Sequence, residues 1–426
     1  MPEPRRGLAG PRLAPPRLAG PRFAAPLAVG EQALFALTNL GLQVLLARSV
    51  PAEAFGAYTV ASTFLFIAAV AHQTCLVEPM VVLGAGPLRD ALAPYHARLL
   101  RRWSALIGLA LLLLGLAAAA GAAWLGASDL ARACAAFAVA TPAILHLWLL
   151  RRIAFALGRV DLSAAATAIY AAATLALSVA ALAFGRFGLG AAILAPAAAA
   201  AVASAALRAR LRWPAAAAPP PDGLVARHLA YGRWALGAEA AAWALTNGPV
   251  LLAPLWLGLA AAGELRALGL AFMPLLQIAS VASLLLLRRF AGEGVGVATR
   301  RRVFLLLGTG GALYTLAATA LGPWLLPRLL GPDYALTPAL LATAGLGATC
   351  LVAAQAFVTA LRAETRTASV LAANLAALTV FAGLAPIAAA QGLLGVTLAQ
   401  TLGAATSLLV AAGLANRRPA LAPGRG

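Results

Sequence analysis

The chain has 426 residues, 62% of them hydrophobic and 11% charged, where soluble domains run at roughly 45–50% and about 25%; its mean hydropathy is +0.89. The apolar excess extends along the whole length, which excludes a soluble multidomain enzyme, a collagen, a disordered chain and a secreted disulfide scaffold. A formal charge of +19 would suggest a nucleic-acid partner in a soluble protein, so the placement of the charge decides its meaning.

Residues 1–26 are rich in Pro and Arg without an apolar period and are predicted to form a disordered basic cytoplasmic tail. The apolar run that follows is too long for a signal-peptide core, so the first helix is expected to stay as an anchor. Crossing the hydrocarbon takes about 20 residues, and the runs long enough are 27–47, 57–80, 103–125, 131–150, 162–184, 188–207, 234–257, 267–287, 303–326, 336–360, 367–388 and 392–414. These are twelve helices in an all-α polytopic membrane protein. The connection 208–233, with Trp213-Pro214 and Pro219-Pro220-Pro221-Asp222-Gly223, separates a bundle at 27–207 from one at 234–414, and 415–426 form a second tail. With the N-terminus inside, all arginines except Arg48, Arg132, Arg186, Arg266 and Arg328 fall on the cytoplasmic side, as loop charge dictates. The expected location is the bacterial inner membrane with both termini cytoplasmic, and the charge needs no nucleic acid.

Helix one opens with Glu31-Gln32-Ala33-Leu34-Phe35-Ala36-Leu37-Thr38-Asn39, and helix seven with Glu239-Ala240-Ala241-Ala242-Trp243-Ala244-Leu245-Thr246-Asn247. The two align without a gap at Glu, Thr and Asn, residues that an Ala- and Leu-rich composition does not align by accident. Duplication of a six-helix unit follows. An even helix count keeps both copies in one orientation, related by an axis along the membrane normal. Glu31 and Thr38 share a helix face, and Asn39 and Gln43 lie on an adjoining stripe. Helices one and seven are therefore expected to line the space between the halves, with Glu31, Thr38, Asn39, Gln43, Glu239, Thr246 and Asn247 on its wall. The alternative for each Glu is stabilisation of a helix N-terminus by the macrodipole.

Helix two carries His72 near its centre and Glu78-Pro79 near its cytoplasmic end, both cavity candidates because ionisable groups at membrane depth are expensive. Their bland readings are a backbone-bonded His and a Glu paired with a loop arginine such as Arg98. Gln277, Gln355, Asn374 and Gln400 are expected to join helices. Pro142, Pro196, Pro249, Pro254, Pro274, Pro338 and Pro386 should bend theirs. Cys75, Cys134 and Cys350 have no metal-ligand spacing and read as packing residues. With no Walker loop, His cluster or long catalytic loop, no enzyme and no cofactor are expected; a coupling ion, H+ or Na+, stays open.

The segment Ala36-Leu37-Thr38-Asn39, then Leu45-Leu46-Ala47-Arg48-Ser49-Val50-Pro51-Ala52-Glu53-Ala54-Phe55-Gly56-Ala57-Tyr58, resembles the opening of bacterial polysaccharide transporters, the O-antigen and lipid-linked oligosaccharide flippases of the multidrug/oligosaccharidyl-lipid/polysaccharide superfamily. Leu76-Val77-Glu78-Pro79-Met80, Arg89-Asp90 and Tyr95 are similar to a variant of the same family. The resemblance implies a MATE-like V of two bundles that moves a lipid-linked oligosaccharide outward, with lipids around it and a polysaccharide polymerase and glycosyltransferases as partners. It also implies a cationic cavity, in which Arg98, Arg101 and Arg233 would meet the headgroup phosphates at the cytoplasmic mouth. Cation-coupled multidrug export on the same fold is one alternative. A major-facilitator transporter, suggested by Gly86-Pro87-Leu88-Arg89-Asp90, is the other.

Overall fold

The computed structural model describes residues 21–85, 88, 92–211, 223–293, 296–334, 336–364 and 366–417. The tail up to residue 20, Arg89-Asp90, the linker from 212 to 222 and residues 418–426 lie outside the described residues. Helix α1 is Pro21–Ser49. Helix α2 joins Ala52–His72, a π-helical turn at Gln73–Val77 and Glu78–Ala85; α3 joins Leu92–Arg98, a second π-helical turn at Leu99–Trp103 and Ser104–Trp124. Helices α4 (Ser128–Ala156), α5 (Val160–Ala183) and α6 (Leu189–Arg210) complete the first half. The second half contains α7 (Leu224–Leu257), α8 (Leu259–Glu293), α9 (Val297–Leu330), α10 (Pro338–Ala363), α11 (Thr367–Ala388) and α12 (Gly392–Asn416). The last two form one apolar stretch of 50 residues that doubles back at the turn Ala389–Gln391, where Gly392 takes φ 67°. Twelve apolar helices result among the described residues, and the chain is a multi-pass membrane protein.

Several boundaries differ from those read in the sequence. Helix α4 continues past residue 150 to Ala156, which brings Arg151 and Arg152 inside it. Helix α8 begins at Leu259, not 267, because Gly258 at φ 82° turns the chain in a single residue; Arg266 then lies about two turns inside α8 and not in a loop. Pro338 starts α10 and does not bend it. It takes the first helical position, where no N–H is needed, and Thr337 caps the helix by accepting from the Leu340 N–H at 3.3 Å.

The duplication is visible in the packing. In the first half α1 packs on α5, α2 on α4, α3 on α4, α4 on α6, and α5 on α6; each of these contacts recurs six helices later. Three of the four amides join helices: Asn374 Nδ2 donates to the Ala238 carbonyl (3.2 Å), Gln400 Nε2 to that of Leu245 (3.3 Å), and Gln355 Oε1 accepts from Ser283 (3.2 Å).

The halves meet mainly through α2 against α8, and α2 against α7. At the arginine-poor end, α2 and α8 cross at glycines. A Cβ on Gly56 would lie 1.8 Å from the Leu259 carbonyl oxygen, and one on Gly263 would lie 2.9 Å from that of Ala52. Only glycine permits this approach. Beside the crossing Phe55 is fully buried and meets Tyr58 and, edge-on, Tyr334, and Arg48 donates to the Arg328 carbonyl of α9 at 2.6 Å. The Phe55-Gly56-Ala57-Tyr58 segment is thus a seam between halves.

Candidate functional site

The polar wedge of α1 turns partly into its own bundle. Glu31 is 4% exposed, and its Oε1 accepts from Arg151 Nε of α4 (2.7 Å) and from Ser163 Oγ (2.7 Å) and Thr167 Oγ1 (2.9 Å) of α5. The Arg151 guanidinium lies 4.8 Å from the centroid of Phe35. One turn further on, Asn39 Oδ1 accepts from Tyr170 Oη at 3.0 Å. This corrects the expectation that Glu31 lines the gap: three donors on α4 and α5 hold it inside the first bundle. Thr38 is half-buried and returns its hydroxyl to the Leu34 carbonyl (2.8 Å).

The second half repeats the ion pair in open form. Arg362 of α10 donates to Glu239 Oε1 of α7 at 2.5 Å, the helices standing as α4 and α1 do in the first half. The side chains are 43% and 38% exposed, so this pair is open where its counterpart is buried. Thr246 and Asn247 bond within α7, to the Ala242 and Trp243 carbonyls and to each other.

Glu78 of α2 completes this wall. The charges acting on it are those of Glu239, Arg362 and Arg152, not that of Arg98. Arg152 is exposed, and it senses Arg151, Glu31 and Glu78. Glu78 thus stands within electrostatic reach of Arg152 and of the Glu239–Arg362 ion pair, a mixed-charge cluster drawn from both halves. His72, a turn earlier on α2, is buried at 5% exposure. Sequence reading missed both arginines of the cluster by assigning them to loops; the signal that could have found them is the excess of glutamates over visible partners at the same depth. Arg98 is half-buried, and Arg101 and Arg233 are exposed. All three lie at the arginine-rich end.

Contacts close both ends of the gap. Towards the arginine-poor end, Arg266 Nε of α8 donates to Gln43 Oε1 of α1 at 2.6 Å and stands 5.4 Å from the Phe66 ring centroid. At the arginine-rich end the closure begins with Pro79, which has no N–H for the carbonyl of Cys75 one turn back. The helix widens there into its π-helical turn, and the Cys75 carbonyl accepts from His228 Nδ1 of α7 at 3.0 Å. With that proton on Nδ1, Nε2 is the acceptor for Tyr95 Oη of α3, 2.6 Å away. Trp103 packs on the imidazole at 4.9 Å between centroids. Gly232 lets α7 lie this close, since a Cβ there would meet the Thr74 carbonyl oxygen at 2.9 Å. His228 falls in the connection 208–233 expected from the sequence, and the structure places it in α7.

Burial holds the His228 imidazole below the ordinary histidine range, opposed by its bond to the Cys75 carbonyl. A histidine depressed in the closed form contributes to closure above its ordinary pKa, and the contribution is lost as pH falls through the lowered value. Protonation also makes Nε2 a donor and breaks the bond from Tyr95. The emission of Trp103, taken as the difference between wild type and Trp103→Phe, should therefore stay level through the ordinary histidine range and drop only below it. His228→Gln should remove the transition, and a midpoint typical of an exposed histidine would contradict the latch.

No family model and no curated protein matches the sequence. Among solved structures, the chain is similar to an inward-facing multidrug resistance MATE family transporter of the MOP superfamily, with 14% identity, a TM-score of 0.69, and 91% of this chain and 97% of that one covered. It is similar to a MOP superfamily transporter from Pyrococcus furiosus at 14% identity and TM-score 0.67, covering 92% and 94%. It is also similar to the lipid II flippase MurJ in an inward closed conformation, at 14% identity and TM-score 0.66, covering 92% and 88%. The fold is the MATE type, two six-helix bundles, and the major-facilitator arrangement is set aside.

Proposed function

We propose that the protein is a flippase that carries a lipid-linked oligosaccharide, a polysaccharide precursor, from the cytoplasmic to the outer leaflet by alternating opening of its two halves. The observation that carries this reading is the cluster of Arg152, Arg362, Glu78 and Glu239 between the halves. Its two arginines supply donors for a diphosphate, and its carboxylates supply acceptors for sugar hydroxyls. Arg98, Arg101 and Arg233 stand at the cytoplasmic rim, where each basic residue attracts an anionic headgroup by about 1 kcal/mol. The seam at Gly56 and Gly263 and the bond from Arg266 to Gln43 keep the outer end shut in this state. The MurJ likeness supports the reading at the level of fold.

A second reading is cation-coupled export, favoured by Glu78 and Glu239 standing together in the same gap. Deleting the gene separates the two. Loss of surface polysaccharide with lipid-linked repeat units held in the inner leaflet, at unchanged susceptibility to cationic drugs, is the expected result. Normal polysaccharide with new drug sensitivity would favour export.

A further inference from the structure

Away from the gap, a groove of about 460 Å³ lies between α4 and α6, lined by Ala143, His146, Ala201, Ser204, Ala205 and Arg208. Helix α6 packs on helices of its own half, chiefly α4 and α5. Its exposed stripe runs Leu194, Ala198, Ala201, Ala205, Arg208, at the spacing of one helix face. The groove therefore opens to lipid, and Arg208 in the last turn of α6 sets it at the arginine-rich end.

Two polar groups on its wall are arranged for a ligand. Ser204 is 6% exposed and its hydroxyl has no hydrogen-bond partner, a condition that disfavours burial unless something outside the protein satisfies it. His146 is held through Nδ1 by Ser104 Oγ of α3 at 2.9 Å, which leaves Nε2 to a ligand. Alanines form the floor, so the cleft admits a chain of methylenes beneath the polar rim. We infer that this groove binds one anionic glycerophospholipid of the arginine-rich leaflet. Arg208 takes the phosphate, Ser204 and His146 meet headgroup or ester oxygens, and the alanine floor receives the first acyl carbons. A basic pocket between helices at this depth suits an anionic headgroup, and the site is separate from the transport cluster.

The test is native mass spectrometry of the purified full chain after exchange into mixed vesicles of phosphatidylglycerol and phosphatidylcholine. Wild type should retain one phosphatidylglycerol in preference to phosphatidylcholine. Arg208→Gln combined with Ser204→Ala should lower that retention about fivefold, the factor equivalent to ~1 kcal/mol for one arginine. Arg208→Lys, which preserves the charge, should keep most of it, and Arg302→Gln on α9 should change nothing. Equal retention of both lipids by wild type would overturn the assignment. So would undiminished retention by the double variant, or displacement of the lipid by inorganic phosphate.

Discussion

Replacing Glu31 with Gln should destabilise the protein by about 3–5 kcal/mol, the cost of leaving one member of a buried ion pair without the other. Arg151 is 8% exposed and Glu31 4%, so water cannot take the place of the lost charge. The amide oxygen can still accept from Ser163 and Thr167, which donate to one carboxylate oxygen, so the loss falls on the charge paired with Arg151. Glu239→Gln should cost less than ~1 kcal/mol, because its pair with Arg362 is solvated. The duplicated glutamates thus separate: one variant loses abundance and detergent stability, the other keeps both and loses transport. Melting curves of the two purified variants check this. The double variant Glu31→Gln/Arg151→Met should recover most of the loss, since removing both charges leaves no buried charge without its partner. Equal destabilisation by both single variants would show that the halves use their glutamates alike.

The second large effect is on transport. Arg152→Gln with Arg362→Gln should slow translocation of an anionic headgroup by about 10–100-fold, since a hydrogen bond to a charged group is worth roughly 1.5–3 kcal/mol. Abundance should be unchanged, because both side chains are exposed. Lys at either position should restore part of the rate as a point charge without the two-pronged geometry. A cationic substrate predicts the reverse, as removing both arginines leaves Glu78 and Glu239 unopposed. Initial rates in proteoliposomes at matched protein content distinguish the outcomes.

The fold was largely legible because its determinants are local. Apolar runs of bilayer length, loop arginines and the repeated Glu, Thr and Asn each act within a few residues, and together they yield twelve helices in two related halves. The site was harder to read because its determinants are distant. Nothing near Arg151 marks it as buried; its partner is 120 positions away in the sequence. Arg266 reads as a loop residue unless Gly258 is known to turn the chain at once. Pro79 signals a disturbed helix, but the use of the freed carbonyl depends on His228, contributed by the opposite half. Glu31 shows the converse: the repeat identifies it as important, and only the structure shows that one copy braces a bundle while the other faces the gap.

The most direct measurement of the central claim is movement of a fluorescent lipid-linked oligosaccharide between the leaflets of proteoliposomes holding the purified protein, with uptake of a cationic dye followed in the same vesicles. Flipping that depends on Arg152 and Arg362, without dye transport under a proton or sodium gradient, is the predicted result. Gradient-driven dye transport with no flipping of the lipid-linked sugar would contradict it.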